Sequence, residues 1–492
     1  MCQLRLCFAV ILLCVCCSLS VITVKAQYGN FTLEAEQSWE TYGVGSTCIS
    51  GTHNLYVADV DGDGFKELIT GGFSYTVTNG SRVNIEAPLN IWSWNGQNVT
   101  REANAKWPGG ISCVFAADSD GDNVVEIIVG GAIVNETVFY SCLRIWQWRN
   151  GELSQKACYE GISVGSIFVS DVDNDGTSEI ITVGKLPNDT LSTSLLCLWH
   201  FKDNALSLID QLELDVANVT YADSVFACDL DNNGNVEIIT AGYSDNLNNS
   251  KGQLCIWQWN GKEFSLKCNE NWQLVTQGYA LTIAGAVQGN TIVNNVKAGD
   301  VDGDGFKEIV TGGFAYDGEQ VNAQLKIWNW TGNALAQEES EEWATDYSTE
   351  VKCIALDDVD GDGKLDIITS GMVAAKGSFA NTTANPDRGQ LRISSWNRTT
   401  LTLTQSVDWV INNGVCAWNV ATGDIDKDSI TEIITVGCTA IDTLCDPNMR
   451  IWSIPNVNSF SNYFTYAIAG AATAIAIVIV IFFARKTRKH PQ

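Results

Sequence analysis

The chain has 492 residues, with 57 Asp and Glu against 29 Lys and Arg and a formal net charge of −28. That acidity argues against a nucleic-acid partner, whose phosphates need Lys and Arg. Its three histidines, His53, His200 and His490, are too few and too scattered for zinc hydrolysis or a Ser-His-Asp triad. Length alone suggests about three domains, but a repeat found along most of the chain overrides that count.

Residues 1–26 hold Arg5, an apolar run from Cys7 to Cys17, and Val24-Lys25-Ala26 before Gln27. These are the parts of a secretory signal with a small-residue cleavage site. Phe31 to Trp39 then reads as a strand, and the first acidic stretch follows as Asp59-Val60-Asp61-Gly62-Asp63-Gly64-Phe65-Lys66-Glu67. Six more copies begin at Asp118, Asp171, Asp229, Asp300, Asp358 and Asp424. Carboxylates at positions one, three, five and nine, with a turn residue at six, suit Ca²⁺, which takes six to eight oxygens from a flexible loop.

The candidate ligands are Asp59, Asp61, Asp63 and Glu67; Asp118, Asp120, Asp122 and Glu126; Asp171, Asp173, Asp175 and Glu179; and Asp229, Asp231, Asn233 and Glu237. The remaining loops offer Asp300, Asp302, Asp304 and Glu308; Asp358, Asp360, Asp362 and Asp366; and Asp424, Asp426, Asp428 and Glu432. Full carboxylate sets with Gly64, Gly176, Gly305 or Gly363 at position six rank first. Asn123 tolerates the left-handed backbone nearly as well. The copies with Asn233 for a carboxylate, or Ser429 for glycine, rank last. Up to seven Ca²⁺ are expected, enough to halve the net charge. Acidic turns held by their own backbone are the plainer alternative.

Each repeat reads as four strands. An apolar run such as Leu55 to Ala58 enters the acidic loop, and a Glu-Ile-Ile segment leaves it. A third strand carries paired tryptophans, as in Ile91-Trp92-Ser93-Trp94 and Ile256-Trp257-Gln258-Trp259, and an Asn-Gly or Thr-Gly turn leads to the fourth. Four antiparallel strands recurring seven times describe an all-β, seven-bladed β-propeller over residues 27–455. The last repeat stops after its third strand, so Phe31 to Trp39 is expected to pair with residues 449–453 and close the ring. Trp residues two apart share one strand face; recurrence in almost every repeat argues for packing between sheets over sugar-stacking platforms.

After a linker at 456–462, residues 463–484 carry no charge and are long enough for one transmembrane helix. Arg485, Lys486, Arg488 and Lys489 in the tail 485–492 place it in the cytoplasm and the propeller outside the cell. With so short a linker, the acidic-loop face is expected to look toward the membrane. Ten Asn-x-Ser/Thr sequons, at Asn30, Asn79, Asn98, Asn135, Asn188, Asn218, Asn248, Asn329, Asn381 and Asn397, fit an exported glycoprotein. Cys142 with Cys158, Cys255 with Cys268, and Cys438 with Cys445 are candidate disulfides; the first needs a bulge or register shift at its hairpin.

The seven loops, each followed by a strand, resemble the FG-GAP or VCBS-type repeats of integrin-α-like β-propellers. Gly71-Gly72-Phe73 and Gly312-Gly313-Phe314 are the nearest echoes of the Phe-Gly signature, and Glu replaces the favoured Asp at position nine in six copies. The resemblance implies Ca²⁺ in the loops and extracellular adhesion or recognition. The expectation is a single-pass plasma-membrane protein that binds an extracellular protein or glycan without catalysis. The alternatives are a polysaccharide-active, lyase-like enzyme, which would need a cleft with clustered Arg, Lys, Tyr or His, and a structural cell-envelope component.

Overall fold

The computed structural model describes residues 26–28, 31–39, 48–78, 81–135, 138–185, 193–214, 219–245, 250–274, 279–282, 285–288, 291–374, 386–411, 414–441 and 444–454. The expected leader apart from Ala26, the linker, the span and the tail lie outside them, as do Asn30, Asn79, Asn188, Asn218, Asn248 and Asn381. Among the described residues the fold is all-β, and no helix is long and apolar enough to cross a membrane.

One unit shows the plan. Val219–Cys228, Glu237–Asp245, Ser250–Trp259 and Phe264–Trp272 run antiparallel in chain order. The second and third strands are buried almost throughout, because each sheet is covered on both faces by its neighbours, and continuous apolar runs such as Ile238-Ile239 follow from that. The acidic loops join first strands to second strands throughout. The first strands are Cys48–Ala58, the later part of Val99–Ala117, Ser166–Ser170, Val219–Cys228, Thr291–Gly299, Ser348–Asp357 and Val415–Gly423.

Tryptophans hold neighbouring sheets together. Trp146 and Trp148 pack with Val60, Ile69, Leu89 and Ile91 of the preceding sheet, and the Trp107 and Trp146 rings stack at 5.5 Å. The tryptophan at the first of these third-strand positions also donates across its own sheet: Trp92, Trp199, Trp257, Trp328 and Trp452 each bond a second-strand threonine hydroxyl at 2.9–3.0 Å. At the position equivalent to those threonines, Val129 faces Arg144, and the Trp146 indole N–H has no such acceptor. These rings are buried, so they are packing elements and not sugar platforms.

An early strand and the last described strand meet. Phe31–Ser38 pairs with Leu444–Ser453, with Thr32 opposite Ser453 and Ser38 opposite Asn448. Glu36 accepts from Arg450 and Asn448, and Glu34 accepts from Ser453. Trp39, Leu55, Leu68 and Trp92 share one core with Ile425, Ile434 and Ile451, so the last sheet packs on the first. This all-β arrangement fits a β-propeller.

The expected disulfides do not form in two of the three places. A bulge at Ile145/Trp146 puts Cys142 opposite Glu160 and Cys158 opposite Arg144, and both thiols are free. The bulge at Ile256/Trp257 sets Cys255 opposite Asn269 and Cys268 opposite Ile256; successive rungs face opposite sides of a sheet, and both thiols are again free. Cys438 stands opposite Cys416, whereas Cys445 stands opposite Ala440.

Candidate metal loops and the central channel

The seven loops fold alike because their own carboxylates bind their own backbone. Position one accepts the amide of position six in every copy, from Gly64 to Asp59 at 2.9 Å through Ser429 to Asp424 at 3.1 Å. Position five accepts the amide of position seven, and Asn233 does this at 2.8 Å as well as the aspartates do. Position nine clasps the loop by accepting the amide of position two, at 2.9 Å in Val60–Glu67 and 3.4 Å where the shorter Asp366 must reach Val359. The position-two side chains, such as Val60, Leu230 and Ile425, plug into the core.

Position six is left-handed in all seven copies, including Asn123 at φ 65° and Ser429 at φ 69°. Position four is left-handed too, which the spacing had not revealed, and Gly62, Gly121, Asn174, Asn232, Gly303, Gly361 and Lys427 occupy it. Six of those seven are Gly or Asn, so the signal was present. Two of these residues link loops: Asn174 donates to Gly234 O at 2.8 Å and Asn232 to Gly305 O at 2.7 Å.

After these bonds, carboxylate oxygens remain. In the first five loops three carboxylates each bring an oxygen within 4.8 Å of the others, as with Asp59, Asp61 and Glu67 or Asp300, Asp302 and Asp304. Asp173, Asp231 and Asp424 each hold a buried oxygen with no hydrogen-bond partner among the described residues. Burial first, and the surrounding aspartates after it, push Glu67 and Asp366 up to about 7 and Glu432 up to about 8. Glu308 also rises to about 7, through burial and then Asp302. Crowded, orphaned oxygen donors of this kind fit a hard divalent cation.

A family model described as the FG-GAP-like repeat matches residues 300–369. The chain carries an FG-GAP-like repeat. No curated protein matches it. Among solved structures, the exotype rhamnogalacturonan lyase YesX is similar with a TM-score of 0.46 and 13% identity, covering 87% of this chain and 76% of that one. At that level nothing of the lyase's activity transfers.

Residues outside the nine positions complete the loops. His200 and Gln147, each between the paired aromatic positions of a third strand, reach the free oxygens of Glu179 and Glu126 at 2.8 Å. Third-to-fourth-strand turns lean on the loop of the preceding sheet: a Cβ on Gly261 would lie 3.3 Å from Asp173, one on Gly332 3.0 Å from Asp231, and one on Gly96 2.8 Å from Asp426. Arg398 takes the corresponding place against the loop at Asp300, where its guanidinium pairs with Asp302 at 2.5 Å and also with Asp304.

First strands also build a channel. One cavity of about 490 Å³ is lined by segments of all seven first strands. In six of them a β-bulge interrupts pairing with the second strand, and bulges re-aim side chains. Five of the six extra residues, Ser112, Asp223, Asn294, Lys352 and Trp418, line the cavity; the sixth is His53. Burial raises Asp223 to about 6 against the pull of Lys185 and Lys352. A second groove on the face opposite the acidic loops brings Tyr75, Lys185 and Asp223 together, a clustering with no trace in the sequence.

Proposed function

We propose that this FG-GAP-like repeat protein is a Ca²⁺-loaded, seven-bladed β-propeller, exported and held at the plasma membrane by residues 463–484. In this reading it recognises an extracellular protein or glycan without catalysing a reaction. The observation that carries it is the set of orphaned oxygens on Asp173, Asp231 and Asp424 inside loops of one shared geometry. Metal charge would neutralise carboxyls that crowd one another, and each filled loop would pin the first and second strands of its blade. The mouth of the channel opposite the loops then offers the surface for a partner, with the loop face toward the membrane.

A polysaccharide-active enzyme is the second reading, favoured by the groove that gathers Tyr75, Lys185 and Asp223. Calcium titration with thermal unfolding, with and without chelator, tests the first reading. Ligands bound only by the folded state raise its midpoint by mass action, so several equivalents of Ca²⁺ should bind and the midpoint should rise by many degrees. An unchanged midpoint would sink it. Release of unsaturated or reducing sugars from acidic polysaccharides would move the assignment to the enzyme.

A further inference from the structure

Three residues before each loop's first Asp, the first strands place Tyr56, Phe115, Phe168, Phe226, Lys297, Ala355 and Ala421 on the channel wall. The four rings form a continuous belt, with centroids 4.5 Å apart for Tyr56–Phe115, 5.4 Å for Phe115–Phe168 and 4.4 Å for Phe168–Phe226. Lys297 extends the belt, its ammonium 5.6 Å from the Phe226 ring centre. The two alanines leave a gap between Lys297 and Tyr56. Lys297 forms no ion pair among the described residues, and the Tyr56 hydroxyl has no hydrogen-bond partner among them.

Lys297 is half-buried on the channel wall; an ammonium partly withdrawn from water without a counter-ion is costly, and burial lowers its pKa. The neighbouring cation, Lys352, is already paired with Glu350 at 2.5 Å. We propose that the gap beside Lys297 is a binding site for one small organic carboxylate, its charge on the Lys297 ammonium and its apolar body against the aromatic belt. A single uncompensated cation matches a single negative charge. Tyr56 lines the same cavity as Lys297, and a volume near 490 Å³ lies in the range of small-molecule sites. The site does not depend on metal, so its failure and that of the calcium reading are separable.

Calorimetric titration of the purified full-length chain with benzoate, benzamide and inorganic phosphate tests this. The expected result is one benzoate per chain, with benzamide and phosphate each at least about tenfold weaker. Lys297→Met should weaken benzoate about ten- to a hundredfold, the worth of one charge-assisted hydrogen bond, and Lys297→Arg should restore part of it. If Lys297→Met does not fold, the benzoate-to-benzamide ratio on the unaltered chain decides. Equal affinities, tighter phosphate binding, no benzoate binding, or an unaffected Lys297→Met variant would each overturn the proposal.

Discussion

The Trp39 ring lies 4.8 Å from that of Trp92, tilted by 47°, although one residue precedes the first acidic loop and the other follows it. The same relationship recurs where Trp107 meets Trp146, Trp272 meets Trp328 and Trp409 meets Trp452. In each pair the tryptophan ending a fourth strand rests on the first tryptophan of the next third strand. Trp39 therefore behaves as the end of a fourth strand whose first three partners come from the far end of the chain.

Closure of this kind should dominate stability. Trp39→Ala removes a buried indole from the seam between the last sheet and the first, and such truncations cost about 3–5 kcal/mol. Urea unfolding of the variant should show that loss. A change below about 0.5 kcal/mol would mean that the seam contributes nothing to holding the ring.

Loop acidity predicts an inverted pH dependence. Glu67, Glu308, Asp366 and Glu432 have folded pKa values raised to about 7 or 8, above the unfolded values near 4. Between those limits the folded state without metal holds more protons than the unfolded state, so its stability falls as pH rises from about 4.5 to 8. Metal binding needs these carboxylates ionised, so Ca²⁺ should add most at the upper end of the window. Melting in EDTA and in Ca²⁺ across this range checks both trends, and an EDTA midpoint rising from pH 5 to 8 would contradict the first.

The loops were legible because metal ligation and turn geometry together restrict the residue type at each position. The paired tryptophans were legible as packing for a similar reason, since a ring recurring in one register repeats one contact. Bulged channel residues were not, because a bulge accepts Ser112, Asp223, Lys352 or Trp418 equally. The belt position runs from Phe226 through Lys297 to Ala355, with no shared chemistry to mark it. The Cys255–Cys268 pair was misread because a bulge at Ile256/Trp257 moves Cys268 one rung along, from Cys255 to Ile256, and nothing in the residue types announces that shift.

One hairpin residue distinguishes the loop at Asp300 from its neighbours, although its carboxylates and Gly305 rank it among the strongest by sequence. Arg398 brings a cation to Asp302 and Asp304, and it sits at φ 71°, where glycine is the unstrained choice. Its side chain is more than half exposed, so solvent limits the pair to about 0.5–1 kcal/mol. Arg398→Gly should therefore tighten divalent-cation binding at this loop roughly two- to fivefold and relieve the backbone at once. Calcium titration of the variant, with Asp302→Asn in the same background as the loop-specific control, measures this. Weaker binding after Arg398→Gly would mean that the guanidinium supports the loop and does not compete for it.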